Sequence, residues 1–194
     1  MHALIVVSHP KPGSFTHSVA NQVAEGIAAS GAHSFEIADL AAEGFDPRFS
    51  GQDHAFFVGE GKLPADIEAE QARLDRTDAL VLVYPVYWWS FPGLLKGWID
   101  RVFTNGWAYL EEPDGKIVRK LGRLPVHLIA VAGANMRTYA RHGYFGAMKT
   151  QIDHGIFDYC GAPVVRSELV VPDERSHEAH LDTMRTIGRT LFAG

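Results

Sequence analysis

The sequence predicts an α/β fold. It reads as a doubly wound parallel sheet of five strands in the order 2-1-3-4-5, with helices on both faces, formed by residues 1–194 as a single domain. Three observations predict it. Strand-length apolar runs alternate with segments of helical period along the whole chain. The runs at 79–84, 3–7 and 126–132 are apolar throughout or nearly so, as strands buried on both faces are. The runs at 33–39 and 164–170 are broken by polar residues, which suits edges. Placing the apolar runs inside and the mixed ones outside leaves 2-1-3-4-5 as the natural order, with right-handed crossovers.

Each element has a local reason. After the first strand, Val19, Ala20, Val23 and Ile27 mark a helical face that Gly31 ends. In 33–39, Phe35 and Ile37 alternate with Glu36. Residues 40–62 are irregular and rich in Gly and Phe. Residues 64–76 place Ile67, Gln71 and Leu74 among charges, as a surface helix does. The third strand starts with six apolar residues, Ala79 to Tyr84, and Pro85 stops it. Ser90 is positioned to cap the next helix and Pro92 suits its first turn. There Phe91, Leu94, Leu95, Trp98, Ile99, Val102 and Phe103 form one apolar face. Residues 104–123 contain Pro113-Asp114-Gly115, a turn signal, and read as an excursion. The loop 132–146 leads to a helical stretch ending near Tyr159. A last helix spans 175–192, with Leu181, Met184, Ile187 and Leu191 on one face.

The chain has 194 residues, enough for a core that needs no covalent staples. A net charge of −5 argues against nucleic acid or an anionic membrane surface as partner. One cysteine, Cys160, excludes an internal disulfide and a cysteine zinc site and fits a reducing compartment. The opening residues have no basic region and too short an apolar run for a signal peptide or a span. The expectation is a cytoplasmic protein without membrane insertion and without a metal.

In a sheet of this order, ligands bind beyond the carboxyl ends of the inner strands. Those ends are residues 8–16, 85–90 and 132–146, also the least ordinary loops in the chain. The first joins a strand to a helix start, where backbone N–H groups and the helix dipole favour an anion. Ser14 and Thr16 add hydroxyls and His9 a ring N–H. It matches neither a nucleoside-triphosphate loop nor a dinucleotide Gly-rich turn. An ordinary N-cap beside a loop histidine explains the same residues. The second loop offers backbone amides with Tyr87, Trp88 and Trp89. It suits a wall for a flat ring, such as a flavin, or packing at a subunit contact. The third carries Tyr139, a hydrogen-bond donor for developing negative charge, and Arg137 and Arg141, which suit a phosphate or plain solvent exposure.

These residues resemble a known family, the NAD(P)H:quinone oxidoreductases of the DT-diaphorase type, which are flavodoxin-like flavoproteins. The run Pro85-Val86-Tyr87-Trp88-Trp89-Ser90-Phe91-Pro92-Gly93-Leu94-Leu95-Lys96-Gly97-Trp98-Ile99-Asp100-Arg101-Val102-Phe103 is similar to the family signature almost throughout. Ser8-His9-Pro10 with Ser14-Phe15 resembles its flavin-phosphate turn, and Phe45-Asp46-Pro47 and Tyr159-Cys160-Gly161 also match.

The resemblance implies a homodimer with a bound flavin, reduced by NAD(P)H and reoxidised by a quinone or other small aromatic acceptor. Two-electron transfer would pass through flavin N5 in ping-pong order. By position, His9, Ser14, Phe15 and Thr16 would hold the flavin phosphates. Pro85, Val86, Tyr87 and Trp88 would line the ring, and Ala132, Gly133 and Ala134 would contact it by backbone. Tyr139 would be catalytic, and Trp89 and His142 would meet substrate. Phe145 stands where the mammalian branch has the tyrosine's partner histidine, so a proton relay needs His142 or water. Residues 40–62 resemble the FAD-binding branch, so FAD is expected, with FMN the alternative. The same site would suit an azo or nitro reductase, or a flavoprotein subunit of a potassium efflux system. A one-electron carrier is a further alternative, though carriers are usually more acidic.

Overall fold

In the computed structural model, which describes residues 1–193, the chain runs β1 (His2–Val7), α1 (Phe15–Ala29), β2 (Ser34–Asp39), α2 (Gly51–Phe57), α3 (Ala65–Asp75), β3 (Ala79–Pro85), α4 (Gly93–Val102), β4 (Tyr109–Glu111), β5 (Ile117–Arg119), β6 (Val126–Val131), α5 (Met136–His142), α6 (Tyr144–Met148), a π-helix (Lys149–Asp158), β7 (Val164–Val170) and α7 (His177–Arg189). The main sheet is parallel with the order β2-β1-β3-β6-β7. Counting only its own strands, that is the expected 2-1-3-4-5. The remaining pair, β4 and β5, is a small antiparallel hairpin within the 104–123 excursion. Its turn is the expected one, with Gly115 at φ +81°.

Alternation along the inner strands splits the core in two, because successive strand side chains point to opposite faces. Leu4, Val6, Leu80, Leu82, Tyr84, Leu128 and Ala130 face one way and pack with Ile67, Leu74, Leu95, Trp98, Ile152 and Phe157. Ala3, Ile5, Val7, Val81, Val83 and Ile129 face the other way, against Val19, Val23 and Ile27 of α1 and Met184 and Ile187 of α7. Helices α1 and α7 touch backbone to backbone. A Cβ on Gly188 would lie 2.0 Å from the Val23 carbonyl oxygen, and one on Gly26 would lie 2.1 Å from that of Arg185. No side chain fits at either position.

Several expectations need correction. Ser90 does not cap α4. Pro92 holds the N-cap position without a side-chain bond, and the Ser90 hydroxyl donates to Oε1 of Gln151. Residues 40–62 contain a short helix, α2. Ser50 caps it in a reciprocal capping box with Asp53, a signal that its lack of apolar periodicity hides. Residues 132–146 are not all loop. Asn135 accepts from Thr138 N at 3.1 Å and starts α5, and Gly143 at φ +69° ends it, so Tyr139 and His142 are helical. Among the described residues no helix is long and apolar enough to cross a membrane.

Candidate functional site

Strand registry sets the three loops side by side. Val7 pairs with Val83, and Pro85 pairs with Val131, so β1, β3 and β6 end along one rim. Main-chain bonds fasten that rim. Ser8 N–H donates to the Val83 carbonyl at 3.2 Å, Val86 N–H to Val131 at 2.8 Å and Ala132 N–H to Val170 at 2.8 Å.

The first loop turns into α1. Ser14 is its N-cap, extended at φ −66°, ψ 167°, and its Oγ accepts from His17 N–H. Nδ1 of His9 accepts from Lys11 N–H at 3.1 Å, which leaves Nε2–H of the neutral ring free to donate. Thr16 is buried. The Ser8 hydroxyl is buried with no hydrogen-bond partner, an orphaned donor at the head of a helix whose dipole favours an anion. The Phe15 ring stacks on His177 with centroids 4.7 Å apart.

The second loop is a two-residue turn. Tyr87 and Ser90 exchange backbone bonds of 3.2 and 3.1 Å, and Trp88 and Trp89 between them have φ of +49° and +60°. This is a I′-like turn built from two bulky residues, where Asn and Gly are the usual occupants. The left-handed region costs about 1–2 kcal/mol per non-glycine residue. The Trp88 side chain does not recover that cost by burial, since the residue is 92 % exposed. Trp89 stacks on Tyr144 at 3.6 Å and 10° and meets Tyr139 edge-on at 5.3 Å.

The third loop leaves open space over Gly133, where a Cβ would touch nothing within 4 Å. Because Ala132 N–H is already bonded, this residue offers a ligand only its carbonyl. The amides of Trp88, Gly133 and Ala134 have no backbone partner among the described residues. Tyr139 is buried to 1 % exposure, and burial raises its phenol pKa, which keeps the proton on at neutral pH. His142 stacks on Tyr144 at 5.2 Å. Arg137 and Arg141 are exposed.

Val86, Trp88, Trp89, Gly133, Ala134 and Tyr139, six residues singled out from the sequence, line one cavity of about 150 Å³. Its unbonded amides, indole faces and neutral phenol suit the edge and face of a planar heteroaromatic ring. A cavity of about 200 Å³ lies next to the first loop, between Phe15, Ala132, Asp173, Arg175 and His177. Sequence reasoning missed its β7–α7 wall, because Asp173, Arg175 and His177 carry no motif. It also missed Tyr144, the partner of Trp89.

A cavity of about 630 Å³, larger than either of these, lies elsewhere, between α2 and α4 with Phe49, Phe57, Leu63 and Tyr109 in its wall. Its cation is already committed. Arg101 donates to Asp53 at 3.1 Å and to Asp66 at 2.8 Å, so the guanidinium of this mainly apolar cleft is held in ion pairs.

Comparison with known proteins bears on the fold and the family. A family model described as flavodoxin-like fold matches residues 1–187. An uncharacterized NAD(P)H oxidoreductase of Haemophilus influenzae is 32 % identical over 87 % of this chain and 83 % of its own. NAD(P)H dehydrogenase [quinone] 1 of Rattus norvegicus is 30 % identical over 87 % of this chain and 68 % of its own. The solved NAD(P)H:quinone oxidoreductase of Methanothermobacter marburgensis superimposes with a TM-score of 0.86 at 27 % identity, covering 98 % of both chains. With the sheet order, the rim and these relatives in agreement, the chain belongs to the flavodoxin-like family, among its NAD(P)H:quinone oxidoreductases.

Proposed function

We propose that this protein is a flavin-dependent NAD(P)H:quinone oxidoreductase, in which nicotinamide and quinone use one slot in turn. The carrying observation is the 150 Å³ cavity that joins the loop after β3 to Tyr139, beside the anion-favouring turn at the start of α1. When bound, the flavin supplies the two-electron hydride chemistry.

The chain's own residues do the rest. His9, Ser14, Phe15 and Thr16 hold the phosphates, with the orphaned Ser8 hydroxyl as a further donor. The free amides of Trp88, Gly133 and Ala134 hold the polar edge of the ring, Pro85, Val86 and Tyr87 wall it, and Ala132 offers its carbonyl. Trp89 and His142, joined through Tyr144, bound the slot on the substrate side. Tyr139 holds a proton at its phenolic oxygen, beside where negative charge develops.

FAD is favoured over FMN because the 200 Å³ cavity continues from Phe15, on the phosphate turn, to a second aromatic surface at His177. That is room of the right kind for an adenosine. A second copy of the chain completes the slot. The 92 % exposed Trp88, in the wall of the slot, supports this. The whole chain, 1–194, acts as one domain.

The test is reconstitution. The purified protein should be yellow, release FAD on denaturation and oxidise NAD(P)H with menadione. Protein that stays colourless after addition of either FAD or FMN would overturn the proposal.

A further inference from the structure

The turn before α1 contains a hydrogen-bonded chain that the proposed reaction does not use. Ser14 Oγ lies 2.8 Å from His17 Nδ1, and His17 Nε2 lies 3.0 Å from Asp39 Oδ2 at the end of β2. The other Asp39 oxygen, Oδ1, accepts from the backbone amides of Ala41 and Ala42 at 3.2 Å each. The His17 side chain is 15 % exposed and that of Asp39 is 25 % exposed, so the chain is shielded over most of its length.

Donor counting fixes the protons. An ionised carboxylate only accepts, so His17 Nε2 carries a hydrogen and donates it to Asp39. In the neutral ring Nδ1 is then a lone pair, and the Ser14 hydroxyl donates to it. The same Ser14 oxygen also accepts from His17 N–H at 3.4 Å. The Ser14 hydrogen therefore points at His17, and the oxygen has one lone pair left to present. A phosphate arriving at this turn needs that hydrogen. Protonation of Nδ1, which turns it from acceptor to donor, frees that hydrogen without leaving the ring nitrogen unpartnered.

We propose that His17 is a positioning residue that couples anion binding at the α1 turn to the uptake of one proton, acting through Ser14 and held in register by Asp39. This rests on the flavin reading of the same turn. The groups facing the His17 ring are Asp39 from β2, the Ser14 hydroxyl, and His9, whose ring lies edge-on at 6.1 Å. The bookkeeping closes simply: one proton leaves solvent for Nδ1, no bond to carbon changes, and the Ser14 hydrogen moves from His17 to a phosphate oxygen.

The experiment is titration calorimetry of the flavin-free full chain with FAD at pH 7.5, in buffers of differing ionisation enthalpy. FAD suits it because its pyrophosphate does not itself titrate near neutral pH. The expected result is an observed enthalpy that varies with buffer in the sense of proton uptake. Affinity should weaken by up to about tenfold per pH unit above neutrality, the limit for a single linked proton. His17→Phe should remove the uptake and the pH dependence and bind at pH 8.5 at least as tightly as the parent. His9→Asn, which removes a proposed phosphate contact, should weaken binding but keep the uptake. Ring nitrogen NMR gives a readout without substitution, with His17 passing from the Nε2–H tautomer to the doubly protonated ring as FAD is added. Binding with no buffer dependence, or uptake that survives His17→Phe, would overturn the inference and leave the flavin reading intact. A chain that binds neither FAD nor FMN would end both.

Discussion

Replacing His127 with leucine should flatten the acid limb of the stability curve. His127 lies on β6 between Val81 and Arg166. It is 5 % exposed, and its Nδ1 is buried with no partner. Desolvation, helped by the charge of Arg166, lowers its pKa from 6.5 to about 4. The folded chain thus holds a neutral ring where the unfolded chain holds a cation. Between pH 6.5 and 4 the unfolded state binds the extra proton, so stability falls as pH falls through that window. At 1.36 kcal/mol per unit, the loss is about 3 kcal/mol by pH 4, a large share of an ordinary domain's ~5–15 kcal/mol. The assay is urea unfolding of parent and His127→Leu at steps from pH 7.5 to 4. Carboxylates held low by hydrogen bonds and ion pairs, such as Asp53 by the Ser50 hydroxyl and amide and then by Arg101 against the cost of its burial, also lose their contribution in acid, but equally in both proteins. The difference between the two curves isolates the histidine. At pH 7 the variant should match the parent or exceed it by about 1 kcal/mol, because an unpaired buried nitrogen is gone. Curves that stay parallel from pH 7 to 4 would refute the reasoning.

Gly188→Ala should destabilise the fold by about 2 kcal/mol, because the added carbon meets the Val23 carbonyl oxygen at 2.0 Å and backbone cannot yield as a side chain does; thermal unfolding checks it. Trp88→Asn should raise the stability of the flavin-free chain by about 1 kcal/mol, since Asn tolerates positive φ and little packing is lost, and should weaken flavin binding in a fluorescence titration. Tyr139→Phe should lower quinone reduction by about 10²-fold with an unchanged circular dichroism spectrum. Equal rates in the two proteins would remove the phenol from the mechanism.

The sheet was legible because burial on two faces leaves an apolar run, and runs such as 79–84 have no other economical explanation. The rim followed from strand order alone, and the cavity at Val86, Trp89 and Tyr139 lies where that order puts it. Other parts were not legible, for physical reasons. The π-helix at Lys149–Asp158 has a residue period that no pattern of apolar positions marked out. Ser90 looked like a cap because serine before a proline-led helix usually is one, but its hydroxyl found Gln151, 61 residues away. His177 and Asp173 reach the site through the crossover to α7, and sequence spacing carries no trace of that proximity. The His17 chain was missed because a histidine inside a helix face looks ordinary until Asp39 arrives from β2.

The way the three rim loops are fastened bears on how freely this protein can change its chemistry. Ser8, Val86 and Ala132 are tied by amide-to-carbonyl bonds to Val83, Val131 and Val170, and such bonds are indifferent to side-chain identity. Residues on the rim can therefore be exchanged without loosening the platform beneath them. This accounts for a third loop that reads Val131-Ala132-Gly133-Ala134, without hydroxyls, on an intact frame. If the slot works as proposed, a scaffold of this kind separates the frame from the residues that select the acceptor, and single exchanges at Trp88, Ala134 or Tyr144 should change which acceptor is taken.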